Sequence, residues 1–555
     1  CEQAEGYVAQ NGDCQDTNAT VFPTQEEICD GLDNNCISVI DEYPGEEKTY
    51  FADLDGDGYV DLENFVSTCE RPKGYTEADY YTETDCDDTN FYVHPGAEEV
   101  CWDGIDNNCD TIEGSCFEGE YQLGDIKARL YGESMEAIGV AVAVLDDSLS
   151  DDSKLIITAP YTNYNDLWSP GKVYITDVPE KEATLSAVAD TMFYGAKERD
   201  ELGRDCLVPG DMDSDGYNDI LVGATWRGLE RTPRNAGASY LVFGPVTGDM
   251  SIEDAADTLF VGVGENDRAT ASAYVGDVNG DGKPDLFFGS ENNTNKTGAV
   301  YLITAVQEGE TSLGDAPLVI RGEKEGDFAG SALGGTDVNG DGLVDLIVSA
   351  LGDAGSVSIF DNTFHGELSL LDANTSYIGT TAGDDAGKSF AYGDFNGDGY
   401  SDLAVGAPGY ESDQGAISVV YGPVSGTYTL GKADAMILGN NRTDFAGTIL
   451  AHAGDITHEN KDALLISAAY EDTVYKGSNY TDAGAVYLVL HPEGTSSLAD
   501  AQATFFGEDA YGYAGGDALL TGTLLGHDEK LDIIIASAVV NSGQGAVYSI
   551  DGNGI

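Results

Sequence analysis

Positive charge is what this 555-residue chain has least of: 25 Lys and Arg stand against 100 Asp and Glu, a formal net charge of -75 at pH 7. A surface of that sign repels phosphate, which excludes nucleic acid and anionic membrane as partners. No apolar run reaches 18 residues, so no membrane insertion is expected. HExxH, a GxSxG nucleophile elbow and a phosphate-cradling loop are all missing, and the six His are scattered, so the chain reads as non-enzymatic. A signal peptide is missing too, and the chain reads as a processed or trimmed form.

Acidic residues, by contrast, are placed with regularity. Four nine-residue loops read DMDSDGYND (211–219), DVNGDGKPD (277–285), DVNGDGLVD (337–345) and DFNGDGYSD (394–402), each running into an apolar strand. Side-chain oxygens stand at positions one, three, five and nine. The sets are Asp211, Asp213, Asp215 and Asp219; Asp277, Asn279, Asp281 and Asp285; Asp337, Asn339, Asp341 and Asp345; and Asp394, Asn396, Asp398 and Asp402. Oxygen-only sets of this kind suit Ca2+, which takes six to eight oxygens at roughly 2.3–2.6 Å, and the Gly at position six lets the backbone turn.

What flanks the loops also repeats. Upstream lies an apolar stretch closed by Gly132, Gly195, Gly262, Gly322, Gly379, Gly439 or Gly507, a period of about 60 residues that gives seven units. Downstream come a buried-strand run such as LIVSA (346–350) and a second strand led by Gly, such as GSVSIF (355–360). Each unit is therefore three or four short strands, and seven such sheets bury their faces when set radially. The last unit stops after its third strand, and Gly124–Tyr131 is placed to supply the fourth.

These units resemble the FG-GAP repeats of integrin alpha-chain propellers, with "FG" at Phe506 and Gly507 and "GAP" at Gly406, Ala407 and Pro408. The resemblance covers residues 120–555. It implies an all-β fold, a seven-bladed β-propeller closed by strand 124–131, with four Ca2+ loops on one face and ligand recognition on the other. Units one, six and seven, at LDDSLSDDSKL (145–155), DITHENKDA (455–463) and LLGHDEKLD (524–532), lack the GDG core, and no tight Ca2+ site is expected there.

Residues 1–119 hold nine of the ten cysteines, eight of them in two copies of one pattern. Cys1, Cys14, Cys29 and Cys36 align with Cys69, Cys86, Cys101 and Cys109. Four cysteines allow three connectivities per copy. Local pairing is expected: Cys1–Cys14, Cys29–Cys36, Cys69–Cys86 and Cys101–Cys109, with Cys116–Cys206 pinning this arm to the propeller. Between the copies DLDGDGYVD (53–61) offers a further Ca2+ set, Asp53, Asp55, Asp57 and Asp61. The arrangement resembles the MopE-type metal-binding repeat and, more loosely, thrombospondin type 3 repeats. That resemblance implies further ions on Asp13, Asp16, Asn18, Asp33 and Asn35 and on Asp85, Asp88, Asn90, Asp106 and Asn108. The arm is expected to be a disulfide-rich, Ca2+-binding extension of little regular secondary structure, held by metal and disulfides rather than by a core. Disulfides and Ca2+ sites together place the chain outside the cell or at its surface.

One segment runs against the acidity. TWRGLERTPR (225–234) gathers Trp226, Arg227, Arg231 and Arg234, and the propeller topology sets it beside Tyr164 and Trp168 of the 160–171 loop, on the face opposite the Ca2+ loops. Arg and aromatic residues are common interface anchors. The expected partner is another copy of this chain or another surface protein or glycan. Two roles follow: an adhesion protein or self-assembling structural subunit of a fibre or surface layer, or a monomeric recognition module.

Overall fold

The apolar runs that follow the acidic loops are the second strands of seven sheets. In the computed structural model they are Lys154–Ala159, Asp219–Ala224, Asp285–Ser290, Asp345–Ala350, Asp402–Ala407, Ala463–Ala468 and Asp532–Ser537, and all but Lys154 are buried throughout. The structure describes residues 14–550 apart from 16, 42–47, 78–83, 98–104, 110–118, 147–152, 180, 227–233, 270–272, 279–282, 362–365, 458, 476 and 523–531. The chain forms two units, Cys1–Ser115 and Cys116–Ile555. That boundary lies four residues before the expected one, because Gly119–Gln122 is already a strand of the second unit.

A strand buried on both sides needs apolar neighbours on both sides. The cores accordingly lie between sheets. Ile156, Val173 and Phe193 of the first sheet pack with Ile220, Val222 and Tyr240 of the second, and Leu155, Ile157 and Tyr174 of the first pack with Ile534, Ala536 and Val547 of the seventh. Similar clusters join the second to the third sheet, the third to the fourth, the fourth to the fifth and the fifth to the sixth. Each large apolar side chain buried this way contributes about 1.5–3 kcal/mol. The unit is a β-propeller of seven sheets.

Each sheet has five strands, not the three or four expected. Four antiparallel strands are followed by a short parallel fifth, taken from the connection that leads to the next sheet's own fourth strand. Gly309–Ser312 pairs with Thr258–Val261 in this way, and Gly366–Ser369 with Leu318–Arg321. Leu or Ile then anchors the turn that follows, as at Leu313 and Leu498. At the front of the unit the same logic places two strands. Gly119–Gln122 is the fifth strand of the sixth sheet, beside Ala503–Phe506, and Arg129–Tyr131 is the fourth strand of the seventh, antiparallel to Ala546–Ile550.

The recurring glycines have a steric reason. A Cβ on Gly379 would stand 2.1 Å from the Ala354 carbonyl oxygen, and one on Gly195, Gly262, Gly439 or Gly507 would meet a carbonyl at 2.0–2.1 Å. The same glycine donates its N–H across the gap, Gly379 to Gly355 at 2.9 Å and Gly439 to Gly415 at 3.0 Å. Backbone thus touches backbone where the fourth strand leaves its partner.

The first unit carries more regular structure than expected, a three-stranded sheet. Lys48–Ala52 lies between Asp61–Thr68 and Tyr75–Glu77, antiparallel to both, and the acidic loop at 53–60 is the turn of its hairpin. Its buried apolar residues are few: Val21, Tyr50, Ala52, Val60 and Val93 among those described. Disulfides join Cys14–Cys36, Cys29–Cys69 and Cys86–Cys109, which corrects the expected local pairs Cys1–Cys14, Cys29–Cys36, Cys69–Cys86 and Cys101–Cys109. The backbone explains the change. In both copies the motif folds back on itself, the N–H of Cys14 or Cys86 reaching the sulfur of Cys36 or Cys109 at 3.0 and 3.1 Å. Phe22 and His94 likewise each donate to the carbonyl of Asn34 or Asn107 at 2.8 Å. Cys1, Cys101 and Cys116 lie outside the described residues. The Cys116–Cys206 bond is also corrected: Cys206 is a free thiol, buried with Ile220 and Val222 between the first two sheets.

Replacing Gly379 by Ala is expected to destabilise the propeller by about 1–3 kcal/mol, the usual cost of overpacking. Calorimetry of the full chain reads this as a lowered midpoint; an unchanged midpoint would remove the steric explanation for the repeat.

Candidate metal centres

The acidic loops are shaped by their own backbone. In loop 211–219 the Asp211 carboxylate accepts the N–H groups of Ser214, Asp215 and Gly216 at 2.6, 3.0 and 2.9 Å. Asp337 does the same with Gly340, Asp341 and Gly342 at 2.7, 3.0 and 2.7 Å, and Asp394 with Gly397, Asp398 and Gly399 at 2.7, 3.0 and 2.8 Å. The residue at position three then accepts from position five: Asp213, Asn339 and Asn396 at 3.1, 2.9 and 2.8 Å. The ninth residue is fully buried in all four loops and accepts the N–H of position two, at Asp219, Asp285, Asp345 and Asp402. These bonds hold oxygens in place before any ion arrives.

Asp211, Asp213 and Asp219 offer oxygens all within 4.8 Å of one another. Asp215, Asp341 and Asp398 take the N–H of position seven. Asp277 is described, whereas Asn279 and Asp281 lie outside the described residues. In the sixth unit Asp455 keeps the bonds from Glu459 and Asn460, but Thr457 replaces the third ligand.

Burial and mutual repulsion act on these carboxyls together. Desolvation, with the charges of Asp213 and Asp211, pushes Asp219 up to about 6. Desolvation and then Asp361 push Asp345 up to about 7, and desolvation with Asp398 pushes Asp402 up to about 6. Asp211 goes the other way: desolvation opposes it, but the N–H groups of Gly216, Asp215 and Ser214 hold it below the usual carboxylate range.

A second set converges in the first unit. Asp53, Asp55 and Asp57 form one group within 4.8 Å, and Asp55, Asp85 and Asp88 another. Buried oxygens of all five lack a hydrogen-bond partner, a fit for a cation that the protein's own donors do not satisfy. The donors are all carboxylate oxygens, which suits a hard divalent ion rather than a soft one. The remaining motif residues serve their own turns. Asn18 accepts from Thr20, Asn90 from Tyr92, Asp33 from Ile37 and Ser38, and Asp61 from Glu63. The N–H of Asn35 reaches Glu27 at 2.6 Å, and Asp106 and Asn108 are half-buried. Asp13 and Asp16 lie outside the described residues.

The opposite ends of the second strands carry the aromatic loops. Arg199 lies over Trp168 at 4.2 Å and Arg268 over Trp226 at 4.1 Å. Arg204 hydrogen-bonds Tyr161, and Tyr164 packs on Tyr194 at 4.7 Å with Lys172 above it at 5.2 Å. Trp168 is 52% exposed and Arg234 is exposed. Arg227 and Arg231 lie outside the described residues. Sequence reading missed Arg199, Arg204 and Arg268; their signal was a place at or near the start of a sheet, where the chain turns over this same end.

Comparison with known proteins adds two family matches. The copper-binding MopE model, described as a metal-binding motif, matches residues 13–42 and 85–112, and the FG-GAP repeat model matches 207–242, 269–303 and 386–420. The chain is 35% identical over 138 residues to integrin alpha-PS5 of Drosophila melanogaster, covering 23% of this chain and 13% of that protein. It is 32% identical over 143 residues to integrin alpha-4 of Xenopus laevis, covering 24% and 13%. It is also 29% identical over 153 residues to the phosphatidylinositol-glycan-specific phospholipase D of Bos taurus, covering 26% and 18%. The chain thus spans less than a fifth of the length of these relatives. No helix among the described residues is long and apolar enough to cross a membrane.

The raised carboxyls set a pH dependence. A folded-state pKa above the unfolded value near 3.9 means that protons stabilise the metal-free loops fully below about pH 4. That stabilisation is lost as pH rises through about 6 for Asp219 and Asp402 and about 7 for Asp345. A cation must displace those protons, so its affinity rises over the same window. Calorimetric titration with Ca2+ should show binding about 4- to 25-fold weaker at pH 5.5 than at pH 7.5, by single-proton competition at those pKa values; equal affinities would contradict it.

Proposed function

We propose that this chain, which carries FG-GAP repeats and a MopE-type metal-binding motif, is a non-enzymatic extracellular protein that binds several Ca2+ ions and acts in surface adhesion or as a structural subunit. Four ions are assigned to the propeller loops and one or more to the arm. Three disulfides support an oxidising, extracellular location. The observation that carries the reading is the set of Arg–aromatic stacks at the end opposite the acidic loops, on a chain whose net charge is -75. Basic groups are scarce, yet Arg199, Arg204, Arg234 and Arg268 share this rim with Trp168 and Trp226. Such a rim selects an acidic partner by charge and holds it by aromatic contact.

A second copy of this chain meets that description, as does an acidic surface protein or glycan. Another copy would assemble head to tail, acidic end on basic rim, and such a heterologous contact extends into a fibre or layer when it does not close. The likeness to parts of integrin alpha chains favours the second reading, a monomeric recognition module.

Light scattering of the chain with Ca2+ and with chelator separates the two. Large Ca2+-dependent assemblies support the structural subunit, and a monomer in both supports the recognition module. If copies do associate, R199E/R234E/R268E should weaken association at least about tenfold, the loss of one or more interface anchors; unaltered assembly would sink the role given to the rim.

A further inference from the structure

The 53–61 loop and the second motif copy were expected to hold separate ions. The structure folds them onto each other. Asp85 donates its N–H to the Val60 carbonyl at 2.9 Å, and Leu54 donates its N–H to Asp88 Oδ1 at 2.9 Å. Asp85 and Asp88 are only 4% and 8% exposed.

Four of these carboxylates divide their oxygens in the same manner. Asp55 Oδ1 accepts the Asp57 N–H, Asp57 Oδ1 the Tyr59 N–H, Asp85 Oδ1 the Asp87 N–H and Asp88 Oδ1 the Leu54 N–H. The Oδ2 atoms of all four are buried without a partner, as is Asp53 Oδ1. One oxygen fixes each side chain and the other faces its neighbours. Buried carboxylate oxygens left in this state take up a proton or a cation, and five of them converging favour the cation.

The spacing decides how many. Ligands about 2.4 Å from one ion lie at most about 4.8 Å apart. The five residues do not meet that limit as one group; they meet it as two, Asp53/Asp55/Asp57 and Asp55/Asp85/Asp88, with Asp55 in both. We propose that Asp55 bridges two hard divalent cations, so that the hairpin loop and the second motif copy form one binuclear centre. The second ion is then the clamp that holds the motif copy on the sheet.

This rests on the Ca2+ reading above, and the test keeps the two apart. Native mass spectrometry of the full chain, equilibrated with Ca2+ and exchanged into volatile buffer, counts bound ions. Relative to wild type, D55A should lose two ions, D53A one, and the double variant D85A/D88A one. Losses of one, one and one, or of two in every variant, would overturn the bridge while leaving Ca2+ binding intact. A wild-type chain that carries no Ca2+ would overturn the underlying reading instead.

Discussion

Everything in the larger unit depends on strands that are apolar on both faces. A sheet built on LIVSA or IIIASA has no side to offer to water, so it is stable only between two others. The cores are accordingly shared, with no sheet owning one. The recurring glycines answer a constraint inside each sheet, where the fourth strand leaves the third and backbone comes within reach of backbone. Burial on both faces also explains where polar chemistry is found: only the ends of the strands remain for it, acidic loops at one and aromatic loops at the other.

The acidic loops show a division of labour between backbone and side chain. Amide groups hold the first, third and ninth residues in position, so the oxygens are gathered at the expense of mutual repulsion and desolvation. Raised carboxyls at Asp219, Asp345 and Asp402 record that strain, and a proton or a cation relieves it. The same design recurs in the first unit with a different scaffold, a hairpin turn and a folded-back motif in place of a propeller strand. Its buried apolar residues are few among those described, and three disulfides cross-link it.

Much of this was legible in the chain. Seven repeats, their second and third strands and the loops at 211–219, 337–345 and 394–402 all announce themselves through period and residue type. The fifth strands do not. Segments such as GETS and GTSS are short and polar, with no alternation to mark them, and they form only because a neighbour's edge needs pairing. Disulfide partners were misread for a related reason: cysteines that align between copies show which positions correspond, not which ones meet. Asp85 and Asp88 could be named as ligands, but their union with Asp55 is a long-range contact that no local pattern encodes. Arg199 and Arg268 look like ordinary loop residues until the turn between sheets sets them over Trp168 and Trp226.

The placement of Gly119–Gln122 and Arg129–Tyr131 carries a consequence for synthesis. These strands leave the ribosome first within their unit, yet their partners, Ala503–Phe506 and Ala546–Ile550, are made only after the strands of the first five sheets. Until then Gly119–Gln122 has no strand beside it, and Arg129–Tyr131 has only the short parallel Ala183–Thr184. Five sheets can be assembled in order as the chain grows; the sixth is completed at Phe506 and the seventh only with Ala546–Ile550. Completion of the propeller is therefore a late event: a chain cut before Ala503 leaves two sheets open at once, and one cut after Phe506 leaves only the seventh.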